Sequence, residues 1–336
     1  EEIEGYTVQK LADKAFYNKN TLEAVMFPET LENMGSQVFQ GCTTLTDVRL
    51  NEGLGYVGES AFRGCTALKT VTFPGSVRYL GEHSFDGCTA MESVVIPATV
   101  RYLGRYSFAG CKLLKNVLLR EGLTAIRGYA FQACTSLESI SIPNSVTGLG
   151  GRAFLDCVNL KELNYPLGWS AVLDQETNSA TNYSDGSWPY RSPFEGCGEI
   201  TKLELPEGLT MIPKHAFRYW ISLEEVILPS TLTTVGAYAF EECTGLKKIW
   251  IGETVTAIHT AALSGCKNLT VHGVEGSYAQ VYAEEMGILF STENMVYPTG
   301  SLSGLVVDEQ GNGLGGVIVT VYDQELQEEI QKLWKK

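Results

Sequence analysis

The sequence predicts a repeat solenoid of about eleven units, because three kinds of residue recur in it with a period of 23. A recurring phenylalanine is followed by a cysteine three positions later and by an apolar residue, mostly leucine, six positions later. A fixed period of this length is the signature of stacked repeats. We therefore expect one right-handed superhelix of mixed α/β to mainly β structure. The phenylalanine column comprises Phe16, Phe39, Phe62, Phe85, Phe108, Phe131, Phe154, Phe194, Phe217 and Phe240, with Leu263 in the same position.

Each repeat contains a short strand, a turn and a second apolar pair. Apolar residues stand nine and eleven positions after the phenylalanine, for example Val94 and Ile96, and this alternation predicts a strand with one buried face. Proline often follows, as at Pro97, and ends the strand because it has no N–H to donate. The second pair, such as Val100 and Leu103, comes after the turn. One repeat cannot bury these residues alone, whereas a stack of repeats makes a continuous core.

Composition limits the classes of partner. The chain is 44% hydrophobic and carries a formal net charge of −14. Nucleic acid and anionic membranes bind clustered lysine and arginine, so we expect neither as a partner. No apolar run approaches the roughly 18 residues that a membrane helix needs. The first ten residues are acidic and show no signal peptide, which we expect to have been removed. We expect the protein to be a monomer.

The nine cysteines share one repeat position, and this predicts free, buried thiols. Equivalent side chains of stacked strands lie about 4.8 Å apart, wider than the roughly 3.5–4.5 Å between the Cβ atoms of a disulfide. Paired Cys-x-x-Cys ligands for zinc are absent from the sequence, so we expect no metal. Each thiol can donate a weak hydrogen bond to a turn carbonyl. Lys19 and Trp220 interrupt the column, and the size of Trp220 predicts that its turn opens locally.

The repeat resembles a known family. The pattern L-x-x-V-x-I-P-x-x-V-x-x-L-G-x-x-x-F-x-x-C, present from Met91 to Cys111 and from Leu68 to Cys88, is similar to that of the BspA-like leucine-rich repeats and extends over residues 8–291. The resemblance implies a leucine-rich-repeat superhelix. It also implies a non-catalytic module, secreted or at the cell surface, that acts in adhesion and protein binding.

Three segments follow from this pattern. Residues 1–270 are predicted to form the repeats, with an insertion at about 167–189 where the spacing of the phenylalanines lengthens. Residues 271–296 are predicted to cap the stack with a short amphipathic helix that has Tyr278, Val281, Tyr282 and Met286 on one side. Residues 297–336 resemble the opening hairpin of a carboxypeptidase-regulatory-like or Cna-B-like β-sandwich. Such a domain needs further strands, so we expect it to be truncated, the alternative being a hairpin packed on the end of the solenoid.

The sequence shows no catalytic constellation. An enzyme needs polar groups that converge in a pocket. The four histidines, His83, His215, His259 and His272, are far apart along the chain, and none accompanies a recurring cysteine or serine as a general base would. We therefore expect no enzyme activity and no cofactor.

Binding is expected on repeat positions that the core leaves variable. Tyrosine and arginine, which are enriched at protein interfaces, cluster in repeats three to five. A self-stacking aromatic row is the structural alternative. A second candidate is the strand face, where Val95 with Leu118 and Ile227 with Trp250 are expected to point to solvent. The candidate residues are Tyr56, Tyr79, Tyr102, Arg78, Arg101, Arg105 and Tyr106, with Trp169 and Trp188 in the insertion and Trp250 on the strand face.

The leading interpretation is an extracellular or cell-surface module that binds a protein partner. Two alternatives stay open. The tyrosine and tryptophan clusters could form a carbohydrate-binding surface, because aromatic rings stack on sugars. The repeats could also serve only as a spacer between other domains.

Overall fold

The computed structural model describes residues 2–3, 6–168 and 191–293. Two predictions concern residues outside these ranges: the β-hairpin in 297–336, and the tryptophans Trp169 and Trp188 of the insertion. The described residues form a β-solenoid of about eleven turns, which confirms the predicted fold class. An antiparallel pair, β1 (Glu2–Ile3) and β2 (Tyr6–Thr7), precedes the repeats.

Where both segments are described, a repeat contributes two short strands, one from the alternating segment and one from the second apolar pair. The strands of the second pair are β3 (Lys10–Leu11), β5 (Asn33–Met34), β7 (Tyr56–Val57), β9 (Tyr79–Leu80), β11 (Tyr102–Leu103), β13 (Ala125–Ile126), β15 (Gly148–Leu149), β18 (Met211–Ile212), β20 (Thr234–Val235) and β22 (Ala257–Ile258). The strands of the alternating segment are β4 (Ala24–Met26), β6 (Asp47–Arg49), β8 (Thr70–Thr72), β10 (Ser93–Ile96), β12 (Asn116–Leu119), β14 (Ser139–Ile140), β16 (Glu162–Leu163), β17 (Lys202–Glu204), β19 (Glu225–Ile227), β21 (Lys248–Trp250) and β23 (Thr270–His272), followed by β24 (Leu289–Ser291).

The strands of successive repeats pair in parallel. The largest sheet has seven strands in the order β15-β13-β11-β9-β7-β5-β3, and a five-stranded sheet runs β17-β19-β21-β23-β24. Equivalent positions pair across repeats, as Tyr79 with Tyr102 and Val94 with Val117 do. The sequence period therefore sets the register of the sheets.

The phenylalanine column forms the centre of the core. The rings from Phe39 to Phe240 are fully buried, and Phe85 and Phe108 are stacked with centroids 5.2 Å apart and planes 4° apart. The column continues across the insertion, because Phe154 and Phe194 stack at 5.4 Å although 40 residues separate them in sequence. The insertion therefore leaves the stack of repeats continuous.

The backbone around most of the repeat phenylalanines forms a third hydrogen-bonded ladder. The N–H of Phe85 donates to the carbonyl of Ser107 in the next repeat at 2.8 Å, and the N–H of Phe108 donates to Ala130 at the same distance. In most repeats the residue two positions before the phenylalanine adopts the left-handed conformation, with φ of 54° at both His83 and Tyr106. Side chains as large as tyrosine occupy this position although the conformation is unfavourable for them.

The cysteines confirm the prediction of buried, free thiols. The Sγ of Cys65 donates to the carbonyl of Phe39 in the preceding repeat at 3.1 Å, and Cys134 donates to Phe108 at 3.2 Å. The carbonyl of Phe39 also accepts the N–H of Cys42 at 3.1 Å. Each such thiol thus uses the second lone pair of a buried carbonyl that is already hydrogen-bonded.

We expect the thiols to make folding stability depend on alkaline pH. Burial raises the pKa of Cys65 and of Cys157 to about 12, whereas an unfolded thiol titrates near about 8.5. Because the folded pKa is the higher one, this contribution is fully present below pH ~8.5 and is lost as the pH rises towards the folded pKa. The free energy of unfolding measured in urea should be lower at pH 10 than at pH 7.5, and replacing Cys65 and Cys157 with alanine should reduce this difference. Separately, thiol titration without reductant should find nine groups, and all nine should react only after denaturation. An unchanged pH dependence in the double variant would contradict this account.

Trp220 corrects the prediction about its turn. The indole is buried, and the turn keeps its bonds: Trp220 N–H donates to Phe217 at 3.2 Å, and Leu223 N–H donates to Trp220 at 3.3 Å. The indole Nε1 reaches into the preceding repeat and donates to the carbonyl of Cys197 at 3.1 Å. A bend at Glu199 there replaces the usual hydrogen-bonded turn after the cysteine. The opening therefore lies one repeat earlier, because the long side chain projects along the stack.

The helix after the last repeat also differs from its prediction. Helix α1 spans Tyr278–Met286 and ends at Gly287, whose φ is 67°. Its buried residues are Ala279, Tyr282 and Ala283, while Tyr278, Val281 and Met286 are exposed. Of the four residues expected on the packed side, only Tyr282 lies there. Two alanines form the rest of the contact, because small side chains let the helix approach the strands closely.

Candidate protein-binding surface

The histidines are held by structural contacts. His83 Nδ1 lies 2.9 Å from a carboxylate oxygen of Asp86, and its ring stacks on Tyr106 at 4.6 Å. His215 stacks on Tyr238 at 5.0 Å. Burial, together with the positive charges of Arg218 and Lys214, lowers the pKa of His215 to about 3.

Over residues 2–3, 6–168 and 191–293, no three histidine, cysteine, aspartate or glutamate side chains are close enough to hold a metal ion. No helix in the same ranges is long and apolar enough to span a membrane.

The outward face of the alternating-segment strands is exposed in the first repeats, from β4 onward, and buried in the last three, β19, β21 and β23. Val95 and Leu118 pair on β10 and β12, both half-exposed, beside a shallow depression of about 280 Å³. Ile227 and Trp250 occupy the equivalent position on β19 and β21 but are only 6% and 8% exposed. The prediction that they point into solvent is wrong. Trp250 pairs with Ile227 on one side and with the buried His272 on the other, so its flanks are covered.

The tyrosine row lies on the seven-stranded sheet. Tyr56, Tyr79 and Tyr102 pair in register on β7, β9 and β11. Tyr56 is 39% and Tyr79 is 40% exposed, and Tyr102 is less so. The rings of Tyr79 and Tyr102 are 5.3 Å apart with planes tilted by 47°, which is a looser contact than the parallel stacking of the core. The structure therefore brings these three predicted residues together at the surface.

Two exposed arginines stand immediately before the tyrosines. Arg78 and Arg101 precede Tyr79 and Tyr102, and the N–H of Arg101 donates to the carbonyl of Arg78 at 3.3 Å. Arg101 also places its guanidinium 3.4 Å from the carbonyl of Gly122. Both side chains are exposed. The tyrosine row thus has a positively charged border on the side of these residues.

Arg127 was not recognised in the sequence as part of this surface. Its guanidinium lies 4.3 Å from the centre of the Tyr102 ring, and its Nη1 lies 3.9 Å from a carboxylate oxygen of Glu82. It occupies the turn position where most of the neighbouring repeats have glycine, as at Gly81 and Gly104. That departure from the repeat was the only sequence signal that could have identified it.

Arg105 and Tyr106 belong to a different feature, the stacked aromatic row. His83, Tyr106 and Tyr129 stack with successive centroids 4.6 Å apart and nearly parallel planes. Arg105 is only 8% exposed, with its guanidinium 5.4 Å from the centre of the Tyr106 ring. The sequence predicts Arg105 and Tyr106 as binding residues together with the tyrosine row. In the structure they belong to the self-stacking aromatic row instead.

The stacked aromatic row ends at a charged residue. Arg152 donates to the hydroxyl of Tyr129 at 3.1 Å and to Glu195 at 2.9 Å. This ion pair joins the repeats on either side of the insertion. The stacked row therefore contributes to the continuity of the solenoid at that point.

Comparison with known proteins supports the repeat assignment. The BspA type leucine rich repeat region family matches residues 3–115, 57–175 and 190–283, which is more than half of the chain and leaves residues 284–336 unmatched. No curated protein matches the sequence.

Solved structures of leucine-rich repeat proteins are similar at low sequence identity. A leucine-rich repeat protein from Bacteroides ovatus is 21% identical over 85% of this chain and 88% of its own, with a TM-score of 0.48. A leucine rich cell surface protein from Faecalibacterium prausnitzii is 23% identical over 86% and 74%, with a TM-score of 0.41. A leucine-rich repeat protein from Eubacterium ventriosum is 22% identical over 77% and 74%, with a TM-score of 0.45. The repeat match and the solenoid described above show that the chain belongs to the BspA type leucine-rich repeat family.

Proposed function

We propose that the chain is a non-catalytic protein-recognition module whose binding site is the tyrosine–arginine surface, defined as Tyr56, Tyr79, Tyr102, Arg78 and Arg101. The observation that carries this proposal is a row of half-exposed aromatic rings at a position that the core does not constrain. Other repeats place non-aromatic residues at the same position of the paired strands. They are Lys10, Asn33, Ala125, Gly148, Met211, Thr234 and Ala257.

The geometry favours a protein over a carbohydrate partner. Tyrosine and arginine dominate the binding energy of many protein interfaces. A sugar ring would need an open aromatic face, but Arg127 covers one face of Tyr102 and the tilted ring of Tyr79 lies beside it. The Tyr102 ring is thus less open to stacking by a sugar, while the row still offers aromatic and hydroxyl groups that suit a mixed polar and apolar protein surface.

Family membership supports the rest of the proposal. The resemblance implies that such modules act outside the cell or at its surface, and we place this chain there. The same resemblance implies a scaffold without enzyme activity. The spacer alternative predicts that no surface of the described repeats binds anything.

Replacing Tyr79 and Tyr102 with alanine should leave the melting temperature nearly unchanged, because neither ring fills the core. It should remove about 2 kcal/mol or more of binding free energy, the usual contribution of interface tyrosines. Selection of a random dodecapeptide phage library on the immobilised full-length protein can measure this. Peptides enriched on the wild type should be lost from Y79A/Y102A.

A matched control is available in two other exposed tyrosines, Tyr17 and Tyr278, which are 40% and 42% exposed. The variant Y17A/Y278A should keep the enriched peptides. Equal enrichment on all three proteins would place binding elsewhere. Binding on a glycan array without any peptide enrichment would favour the carbohydrate alternative, and no binding of either kind would favour the spacer.

A further inference from the structure

We propose that Arg78 and Arg101 together bind the carboxylate side chains of an acidic segment in the protein partner. This inference rests on the proposed function and specifies the chemistry of its ligand. The two arginines occupy one repeat position, immediately before the neighbouring strands β9 and β11. Their backbones are joined by the hydrogen bond from Arg101 N–H to the carbonyl of Arg78 at 3.3 Å.

The fold gains nothing from this placement of charges. Parallel neighbouring strands lie about 4.8 Å apart, and like charges at adjacent positions destabilise a sheet. The same position in the flanking repeats holds Gly55 and Thr124, so the sheet does not require a charged residue here. Two adjacent arginines are therefore more readily explained by a ligand than by folding.

Six other arginines of the described residues form ion pairs with carboxylates of the chain, whereas Arg78 and Arg101 have no carboxylate within 4.0 Å in the same ranges. The paired ones are Arg49 with Asp47, Arg63 with Asp86, Arg127 with Glu82, Arg152 and Arg191 with Glu195, and Arg218 with Glu241. Glu82, which is close to the tyrosine row, already interacts with Arg127 at 3.9 Å. Arg78 and Arg101 are exposed, so their guanidinium N–H groups can donate hydrogen bonds to an external anion.

The surface is polarised across the tyrosine row. Glu59 and Glu82 follow the strands on one side, and their negative charges contribute, after burial, to the raised pKa of Tyr56. Arg78 and Arg101 precede the strands on the other side. An acidic segment would thus be attracted to the side of Arg78 and Arg101, whereas on the other side Arg127 offsets part of the charge of Glu82.

The chemistry of the pair fits carboxylates. Arginine offers a planar set of N–H donors that matches a carboxylate in two-point contact. Two acidic residues separated by one residue in an extended segment lie on the same side, roughly 7 Å apart. That separation is within reach of two flexible arginine side chains on adjacent strands. Since the whole chain has a net charge of −14, a local positive pair also directs an acidic segment to this place and away from others.

A direct test uses two labelled peptides and the full chain. The probe is a fluorescein-labelled peptide with the sequence Gly-Ser-Glu-Thr-Glu-Thr-Glu-Gly, and its control has glutamine in place of every glutamate. Fluorescence anisotropy should show binding of the acidic peptide and much weaker binding of the glutamine peptide. Raising NaCl from about 50 to about 300 mM should weaken the acidic peptide's binding, because exposed charges are screened.

The variant R78Q/R101Q should bind the acidic probe about tenfold or more weakly, as expected when a charge-assisted contact is removed. The control K112Q/K267Q removes the same charge at two exposed lysines elsewhere and should bind like the wild type. Thermal unfolding of R78Q/R101Q should show the same or higher stability, because the two like charges no longer repel each other. A folded R78Q/R101Q that binds as tightly as the wild type would overturn the inference.

The outcomes separate this inference from the proposed function. Some phage-selected peptides could lack acidic residues and bind R78Q/R101Q as well as the wild type. If those peptides are lost from Y79A/Y102A, the tyrosine site stands and the acidic-segment inference fails. Failure of the proposed function would appear as an absence of any peptide that depends on Tyr79 and Tyr102. A heparin-derived sulfated hexasaccharide serves as the competing probe. If it binds the wild type but not R78Q/R101Q, and the acidic peptide does not bind, the arginines are assigned to a sulfated glycan and the inference is overturned.

Discussion

Replacing Phe108 with alanine is expected to lower the free energy of unfolding by about 3–5 kcal/mol, the usual range for a fully buried phenylalanine. The ring is fully buried and stacks on Phe85 at 5.2 Å and on Phe131 at 5.6 Å. Its removal leaves a cavity in the middle of a column that has close neighbours on both sides. Urea unfolding followed by circular dichroism measures the change.

Phe16 offers the matched comparison within the same column. It is only partly buried and stacks on one described phenylalanine, Phe39, at 5.2 Å. Phe16→Ala should therefore cost clearly less than Phe108→Ala, since a solenoid is stabilised by contacts between neighbouring repeats. Equal losses at the two positions would contradict a nearest-neighbour stack.

Replacing Trp220 with cysteine should destabilise the protein even though it restores the residue that most repeats have. Trp220 is buried between Phe194 and Phe217, with ring centroids at 5.5 Å and 5.8 Å. The substitution removes most of this volume and the Nε1 hydrogen bond to the carbonyl of Cys197. We expect a loss of about 3 kcal/mol, at the lower end of the range for truncating a large buried aromatic residue.

Two variants test the reason for this loss. Trp220→Phe keeps an aromatic ring but lacks the Nε1 donor, and should cost less than Trp220→Cys. Cys134→Ala removes an ordinary member of the cysteine column and should cost about 1 kcal/mol, typical of a small buried change. Equal or higher stability of Trp220→Cys, measured by urea unfolding, would show that the bend at Glu199 is strained and that the regular repeat is preferred.

The repeat pattern predicted most of the core correctly because stacking converts a sequence period directly into spatial register. The same interval that separates Phe85 from Phe108 in the sequence aligns Tyr79 with Tyr102 across two strands. The buried, free state of the cysteines followed from the same rule. In such a fold, a residue's repeat position already decides whether it faces the core.

The candidate site was predicted only in part. Tyr56, Tyr79, Arg78 and Arg101 lie at the surface as expected, but Arg105 is buried beside the stacked aromatic row. Arg127, which covers Tyr102, comes from the next repeat and fills a position where neighbouring repeats have glycine. A repeat position specifies the strand to which a residue belongs, but it does not specify the direction that a long side chain takes from its turn.

By itself, the sequence determined the number of repeats, their register and the phenylalanine and cysteine columns. Only the tertiary structure decided that Trp220 reaches into the preceding repeat, that two alanines pack helix α1, and that Ile227 and Trp250 are buried. The physical reason is that the repeat encodes contacts between equivalent positions. Burial of an outward residue depends instead on the size and direction of side chains on other elements, which follow no period.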